Sequence, residues 1–321
     1  MKIAVFSDLH ANGAALDAFC KDAQEKGVTD YWFLGDAVGY GPDPVKALDW
    51  VLSNVSQKRR VWGNHDMMLH GLLAAKDPKL NSKLASNTFS LKFKGDDLVI
   101  IENLLRKSDW QATNADAIQI ILEHCRELSS EDQLYRKAMK SISRDRRVKH
   151  FSFRGVQHWF VHGAIDNLRD NYRYIFPWKE PYLELELLAL KKIPTRRNQI
   201  HWSGHTHIPM LMVAGQQDEV PKPVFYHYGE KYSVDFPYVF INPGSLGFPR
   251  DLDGRCSYVL YYPQDNAIEF QRIEYPQKVA YDQMRAKDYS SSILTKFRDA
   301  SFPGRDNEFK DHFMKLKEED I

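Results

Sequence analysis

The chain has 321 residues, 43% of them hydrophobic, enough to bury one large core or two ordinary ones. Its 44 Lys and Arg nearly balance 43 Asp and Glu, for a formal charge of +1, which excludes a protein whose main task is coating nucleic acid or an anionic membrane. Cys20, Cys125 and Cys256 are odd in number, far apart and without a CxxC pair, so they read as reduced buried thiols. No apolar run approaches the roughly 18 residues of a membrane span, and a strand starting at residue 2 leaves no room for a leader, so a soluble cytoplasmic protein is expected.

Residues 2–6 read as a buried strand that breaks at DLH, 8–10. A helix over 13–26 follows, with Leu16, Phe19 and Ala23 on one face and Gly27 as its stop, then a strand over 31–34 that breaks at GDAVGYGP, 35–42. Strand, helix, strand is a βαβ unit, so both strands should run parallel with their C-terminal ends on one edge. Asp43 can cap a helix that opens with Pro44 and carries Val45, Leu48, Trp50 and Leu52. A strand over 59–62 then runs into GNHD, 63–66. From about 67 to 150 the pattern turns to helices with polar faces, 113–127 and 130–142, each with a capping-box-like opening, TNAD and SEDQ. Lacking any metal-ligand motif, that stretch reads as a helical cap inserted into a catalytic domain of residues 1–275.

A hairpin turning at Arg154 and Gly155 returns the chain to the core, and its second strand, 156–161, delivers HG at 162–163. After a helix over 180–192, a strand over 199–203 leads to GHTH, 204–207. Strand candidates follow at 210–213, 223–228, 238–242, 256–262 and 267–272. So many strands cannot all join one helix-covered parallel sheet, which points to a second sheet stacked on the first. Residues 276–321 read as a C-terminal helical tail.

Five apolar runs thus end abruptly and are followed at once by side chains able to hold a metal. Parallel strands gather their end loops along one edge, where ligands dispersed in sequence become neighbours. In an extended segment i and i+2 point the same way, so Asp8 and His10 can chelate one ion together. His205 and His207 can do likewise or, in a bent loop, face two ions. Asp36 can bridge with its two oxygens, Asn64 offers a carbonyl oxygen, and His162 offers a neutral imidazole nitrogen. Four His, two Asp and one Asn make a set sized for two ions. Oxygen and nitrogen ligands without sulfur favour Mn, Fe, Zn or Ni at roughly octahedral sites; affinity order alone does not choose among them, and two divalent ions, Mn²⁺ first and Fe, Zn or Ni as alternatives, are expected. Gly35, Gly63, Gly163 and Gly204 suit a backbone that leaves a strand in a tight turn close to such a site.

The order DLH, GD, GNHD, HG, GHTH resembles the calcineurin-like metallophosphoesterase superfamily, and GDAVGYGPDP, VHGAIDN and INPGSLGFPRD resemble its small bacterial phosphodiesterase-type branch. The resemblance runs from residue 3 to about 262. It implies an α/β fold, a four-layer α/β/β/α sandwich of two stacked mixed sheets flanked by helices, with a dinuclear centre at one edge. It also implies that Asp8, His10, Asp36 and His207 hold one ion, and that Asp36, Asn64, His162 and His205 hold the other. Tyr40 departs from the superfamily's phosphoprotein and diadenosine tetraphosphate phosphatases, which carry a GDxxxRG-type arginine there, and this speaks against protein phosphatase activity.

Two divalent ions about 3.5 to 4 Å apart can deprotonate a bridging water and clamp phosphoryl oxygens, so that hydroxide attacks in line and a P–O bond breaks. His65, beside Asn64 and outside the ligand set, is positioned to donate a proton or hydrogen bond to the leaving oxygen, with Asp66 orienting it or capping a helix. The expected function is a metal-dependent phosphodiesterase acting on a small or nucleotide-like phosphate ester. A phosphomonoesterase for nucleotides or phosphoproteins is the alternative, with a nuclease or a non-enzymatic scaffold behind it. Arg169, Arg173 and Arg250 read as solvated or ion-paired, and His70 as close enough to GNHD to lean over the site. The short basic runs KRR and RDRRVK read as solvated faces, so neither nucleic acid nor membrane is an expected partner.

Overall fold

The structure, a computed structural model, describes residues 1–76, 115–145, 147–165, 173–193 and 195–301. In chain order the elements are β1 (Ile3–Phe6), α1 (Gly13–Glu25), β2 (Asp30–Phe33), α2 (Pro44–Asn54), α3 (Asn64–Lys76), α4 (Ala115–Ser129), α5 (Asp132–Ser143), β3 (Val148–Phe153) and β4 (Val156–Val161). They continue with α6 (Glu180–Lys191), β5 (Gln199–Trp202), β6 (Pro209–Ala214), β7 (Lys222–Pro223), β8 (Lys231–Ser233), β9 (Tyr238–Pro243), β10 (Cys256–Tyr262), β11 (Ala267–Ile273), α7 (Gln277–Ala286) and α8 (Ser291–Asp299).

Two mixed sheets stack face to face, one ordered β2-β1-β10-β11-β8 and the other β3-β4-β5-β9-β6-β7. β1 and β2 run parallel, Ile3 opposite Asp30, as the βαβ rule requires, and β4, β5 and β9 form a second parallel group. The period of two explains why β1 is apolar throughout. Ile3 and Val5 enter the core between the sheets with Trp32, Phe160, Trp202 and Tyr261, whereas Ala4 and Phe6 face the helices. Each such large apolar side chain contributes roughly 1.5–3 kcal/mol on burial, so the inter-sheet layer holds both sheets in register around the loops they carry.

The outer face of the first sheet is covered by α1 through α5 together with α7 and α8, which share one apolar cluster containing Leu16, Leu48, Leu69, Ile121, Met139, Met284 and Phe297. The outer face of the second sheet is covered by α6, through Leu183, Leu187 and Leu190. This is the four-layer α/β/β/α sandwich. The helices of the 67–150 stretch, α3, α4 and α5, therefore pack into the same layer as α1 and α2, and residues 148–150 already belong to β3. Cys125 and Cys256 are buried free thiols and Cys20 is a half-buried one.

Local departures from the expected elements have local causes. Over 59–62 there is no strand: a turn of 3₁₀ helix spans Gln57–Arg59, and Arg60 makes a single parallel bridge to Phe33 before the chain turns into α3. GNHD opens that helix instead of only ending a strand. The 223–228 candidate reduces to the two-residue β7, and a short edge strand, β8, was not anticipated. Residues 276–299 carry two helices, α7 and α8, where a single tail helix was expected. Residues 113 and 114 of the TNAD opening, and the tail from 302, lie outside the described residues.

Candidate metal centre

The loops after β1 and β2 run alongside each other, joined by main-chain bonds from Asp8 N to Gly35 O (2.9 Å), His10 N to Asp36 O (3.0 Å) and Ala11 N to Ala37 O (2.8 Å). The loop after β5 meets the end of β4 through Gly204 N to His162 O at 2.8 Å. The NPGS turn after β9 ties both sheets together: Leu246 N donates to Ser7 O (3.0 Å), Gly247 N to Asp8 O (3.1 Å), and Asn242 Nδ2 to Gly204 O (2.8 Å). All five strand-end loops therefore converge on one edge. The crowding accounts for two of the glycines by bulk: a Cβ on Gly63 would fall on the Asp36 carboxylate, and one on Gly204 on the Ser7 hydroxyl and Asp8.

The convergence holds the backbone in a conformation that L-residues avoid. Asp8, His10, Asp36, His205 and His207 all have positive φ, between 47° and 68°. Each costs about 1 kcal/mol or more, and such strain persists only where the surroundings over-determine it, as at functional sites.

The side chains form three overlapping groups with atoms spaced to hold a cation: Asp8, His10 and His207; His10, Asp36 and His65; and Asp36, His162 and His205. Their tautomers follow from their partners. His10 Nδ1 lies 3.0 Å from Val38 O, His162 Nδ1 2.8 Å from Leu34 O, and His207 Nδ1 against Phe248 O. A carbonyl only accepts, so each Nδ1 carries the proton and each Nε2 is left as a lone pair. Yet His10 Nε2 faces His207 Nε2 at 3.0 Å, with Asp8 Oδ1 3.2 Å from the latter. His162 Nε2 likewise sits 3.1 Å from Asp36 Oδ2 and 3.2 Å from Asn64 Oδ1. Lone pairs and carboxylate oxygens aimed at one another are stable around a positive charge, so the donor set fits a divalent metal.

The electrostatics point the same way. Burial works to raise Asp8 and Asp36, but the His207 and His162 rings beside them hold both below the usual carboxylate range. Burial works to lower His162, and the Asp36 carboxylate outweighs it, raising that ring to about 9: beside that carboxylate Nε2 takes up a positive charge, either a second proton or a metal that replaces it. Burial takes His10, His205 and His207 down, keeping them neutral and ready to coordinate. Asp36 Oδ2 lies 3.8 Å from His10 Nε2 as well as 3.1 Å from His162, within reach of both ends of the set.

Asn64 and His65 stand at the first turn of α3. His65 N–H donates to Asp36 Oδ1 at 2.9 Å, and its ring packs edge-on against His10 with centroids 4.9 Å apart. Burial lowers the His65 ring to about 4. Asp66, the third residue of the helix, takes Gly63 N–H (3.0 Å) as a capping residue does, and also accepts from Asp36 N (2.8 Å), Ala37 N (2.9 Å) and Val38 N (3.2 Å). Its carboxylate thus organises the loop that presents Asp36 and makes no bond to the His65 ring. Burial and the Asp36 charge push it up to about 8, against those four donors.

Residues 1–266 match the family model of the calcineurin-like phosphoesterase superfamily domain. The chain belongs to that superfamily. It is similar to a metallophosphoesterase of Sphaerobacter thermophilus, with a TM-score of 0.66 and 24% identity over 94% of this chain and 99% of that one. It is also similar to a hypothetical protein of Pyrococcus horikoshii OT3, with a TM-score of 0.63 and 17% identity over 92% and 97%. In sequence it is 25% identical over 284 residues to an uncharacterised protein of Methanocaldococcus jannaschii, covering 88% of this chain and 91% of that one. The two structural likenesses bear on the fold.

This phosphoesterase brings further residues to the edge that its sequence did not single out. Arg250, expected to be solvated or ion-paired, is buried beside Tyr40 and Tyr174. Tyr174 stacks on His205 with centroids 4.2 Å apart and rings 10° from parallel. His124, on α4, brackets Tyr40: its Nδ1 accepts from Gly39 N at 3.3 Å and its Nε2 meets Gly41 O at 2.9 Å. Arg173 pairs with Glu186 at 3.0 Å, and Arg169 lies outside the described residues. His70 is buried in α3 and joins none of the three groups. The FPRD run after NPGS was the available signal for Arg250, since a charge following a buried turn has nowhere solvated to go. No described helix is long and apolar enough to cross a membrane.

Proposed function

We propose that this phosphoesterase is a phosphodiesterase with a dinuclear centre, Mn²⁺ ahead of Fe, Zn or Ni, acting on a small or nucleotide-like diester in the cytoplasm. Asp8, His10, Asp36 and His207 would hold one ion, and Asp36, Asn64, His162 and His205 the other. The observation that carries the reading is the 3.0 Å approach of two Nε2 lone pairs, His10 and His207, each fixed by a carbonyl at its Nδ1. When bound, two divalent ions supply an acidified water and charge stabilisation for the phosphoryl oxygens.

The chain's own residues do the remaining work. Asp36 spans both halves with Oδ2 while its Oδ1 is spent on the His65 N–H, which fixes the carboxylate plane. His65 donates a hydrogen bond to the leaving oxygen, supported by its burial against His10 and Tyr40 at the centre of the cluster. Asp66 acts as a positioning residue, holding the Asp36 loop against the start of α3. The 67–150 stretch is taken as a cap on the domain of residues 1–275, supported by the His124 bonds on either side of Tyr40.

The preference for a diester is supported by Tyr40, a neutral phenol packed against His10 and His65 where the resembling phosphatases carry arginine. A diester carries a second organic group, and the Tyr40 ring offers that group an apolar face that an arginine in its place would not; charge does not separate the two, since the Arg250 guanidinium lies 3.3 Å from the Tyr40 hydroxyl. Comparing bis-p-nitrophenyl phosphate with p-nitrophenyl phosphate under Mn²⁺ tests the reading. The diester should turn over at least about 10-fold faster in kcat/KM, and the reverse order would establish a phosphomonoesterase instead.

A further inference from the structure

The buried face of α4 is apolar, with Ile118, Ile121, Cys125 and Leu128 in the helical core, except for one imidazole, His124. A polar ring placed in a core is destabilising unless its nitrogens are paired, and here both are. Nδ1 accepts from Gly39 N–H at 3.3 Å and Nε2 donates to Gly41 O at 2.9 Å, an assignment fixed because a main-chain amide only donates and a carbonyl only accepts. Burial lowers the ring to about 3, which keeps it neutral and leaves Nδ1 its lone pair. The helix thus grips the main chain on either side of a single residue, Tyr40. Tyr289 Oη donates to the same Gly41 O at 3.0 Å, and Lys287 Nζ joins Pro42 O to Glu127, one turn beyond His124 on α4, at 2.6 Å each.

Tyr40 needs that grip. Its φ is 55°, a left-handed conformation that a bulky residue keeps only where its surroundings over-determine it. The loop is also pressed onto the site: Gly41 N–H donates to His10 O at 2.9 Å, and a Cβ on Gly39 would fall on the His65 ring. The half-buried Tyr40 ring stands with its centroid 4.7 Å from His10, 4.6 Å from His65 and 4.7 Å from Phe248. It is therefore an aromatic wall beside the imidazole that faces the leaving oxygen. We propose that His124 is a positioning residue for Tyr40, and that the ring it holds is the surface on which an aromatic organic group of the ester packs. A helix of the 67–150 stretch, 85 residues away from Gly39, then sets which esters the edge prefers. This rests on the phosphoester-hydrolase reading above and names the substrate class and the device that selects it.

The test uses the full-length, Mn²⁺-loaded protein and the variants His124→Phe, His124→Gln and Tyr40→Ala. His124→Phe keeps an aromatic ring and removes both bonds, and the Gln amide can restore one of them. Calorimetry gives Kd for phenylphosphonate and methylphosphonate, whose C–P bond an ester hydrolase leaves intact, so their ratio reads the organic group without turnover. The wild type should favour phenylphosphonate by about 10-fold, and Tyr40→Ala by no more than about 2-fold. His124→Phe should fall to about 3-fold or less with metal content and methylphosphonate affinity unchanged, and Gln should lie between it and wild type. For bis-p-nitrophenyl phosphate, His124→Phe should raise KM by about 5-fold and keep kcat within about 2-fold, the mark of lost binding without lost chemistry. A wild type without the phenyl preference, or a His124→Phe that keeps it, would overturn the proposal. An equal fall in affinity for both phosphonates would overturn it too, since His124 would then support the whole edge. Should His124→Phe fail to fold, the Gln variant decides by the same ratio. A protein that loses its phenyl preference in His124→Phe but hydrolyses neither a diester nor a monoester would sink the reaction reading and leave the role of His124 standing.

Discussion

The two halves of the ligand set are built by different means. Asp8, His10 and His207 hang from loops laced by main-chain bonds to Gly35, Asp36 and the NPGS turn. Around Asn64, His162 and His205 there are fewer such bonds among those described, Gly204 N to His162 O being one, and side chains and a helix N-terminus carry more of the load: Tyr174 stacks on His205, whose N–H donates to the Asp8 carboxylate at 3.0 Å. On either side of residues 166–172, Glu186 ties down the described residues beyond His162: it accepts from Ile165 N at 2.9 Å and pairs with Arg173 at 3.0 Å. Main-chain lacing survives most substitutions because every residue brings the same N–H and C=O, whereas side-chain pinning vanishes with the side chain. The first half should therefore hold its geometry through single changes that disturb the second.

The largest effect should come where the halves meet. Asp36→Ala removes the carboxylate that lies 3.1 Å from His162 and 3.8 Å from His10, and should cut diester turnover by about 10³-fold or more while lowering bound metal in a metal assay. Retained activity would show that the halves do not depend on a shared ligand. His65→Asn comes next, with a loss of roughly 10²-fold in kcat at unchanged metal stoichiometry; normal turnover would remove His65 from the chemistry. Removing metal with a chelator should lower the melting temperature by on the order of 5 °C, restored by Mn²⁺, since a ligand held far above its Kd stabilises the fold by about 4 kcal/mol.

Smaller effects separate the halves themselves. Glu186→Gln should weaken one metal equivalent by about 10-fold in a Mn²⁺ titration and leave the other near wild type, because charge-assisted bonds to the loop after His162 are lost. Equal weakening of both would erase the distinction. Smallest is Ser245→Ala, which gives up the Ser245 Oγ bond to Asp8 O at 2.7 Å. It should cost about 1 kcal/mol in denaturant unfolding with both metal affinities unchanged, since the main-chain bonds around Asp8 remain.

Legibility differed element by element for physical reasons. β1, α1 and β2 could be read because their apolar periods are clean and one face or two is buried along their whole length. GNHD was read as a strand end and not as a helix start, because Met67, Met68 and Leu69 give no helical period at their outset and the cap is a glycine whose partner, Asp66, lies inside the helix. Asp66 was expected to orient His65 or cap a helix; the capping bond was the accessible half of the answer, and its three bonds to the Asp36 loop were not. Arg250 was read as solvated or ion-paired; its burial excludes the solvated half of that reading, and the FPRD run after a buried turn was the signal for it.

The sequence by itself determined the candidate donors, since metal-binding side chains cluster at strand ends whatever the exact packing, and the order of their motifs carried the resemblance that implies the reaction class. The number of apolar runs pointed to a second stacked sheet, and the four-layer architecture came with the family resemblance those motifs carry. Only the tertiary structure decided which lone pairs face each other, which backbones sit at positive φ, and which charge is drawn in beside the donors. Those depend on hydrogen bonds between loops more than 20 residues apart, such as His207 to Phe248 and Gly39 to His124, and no local pattern encodes a partner at that distance.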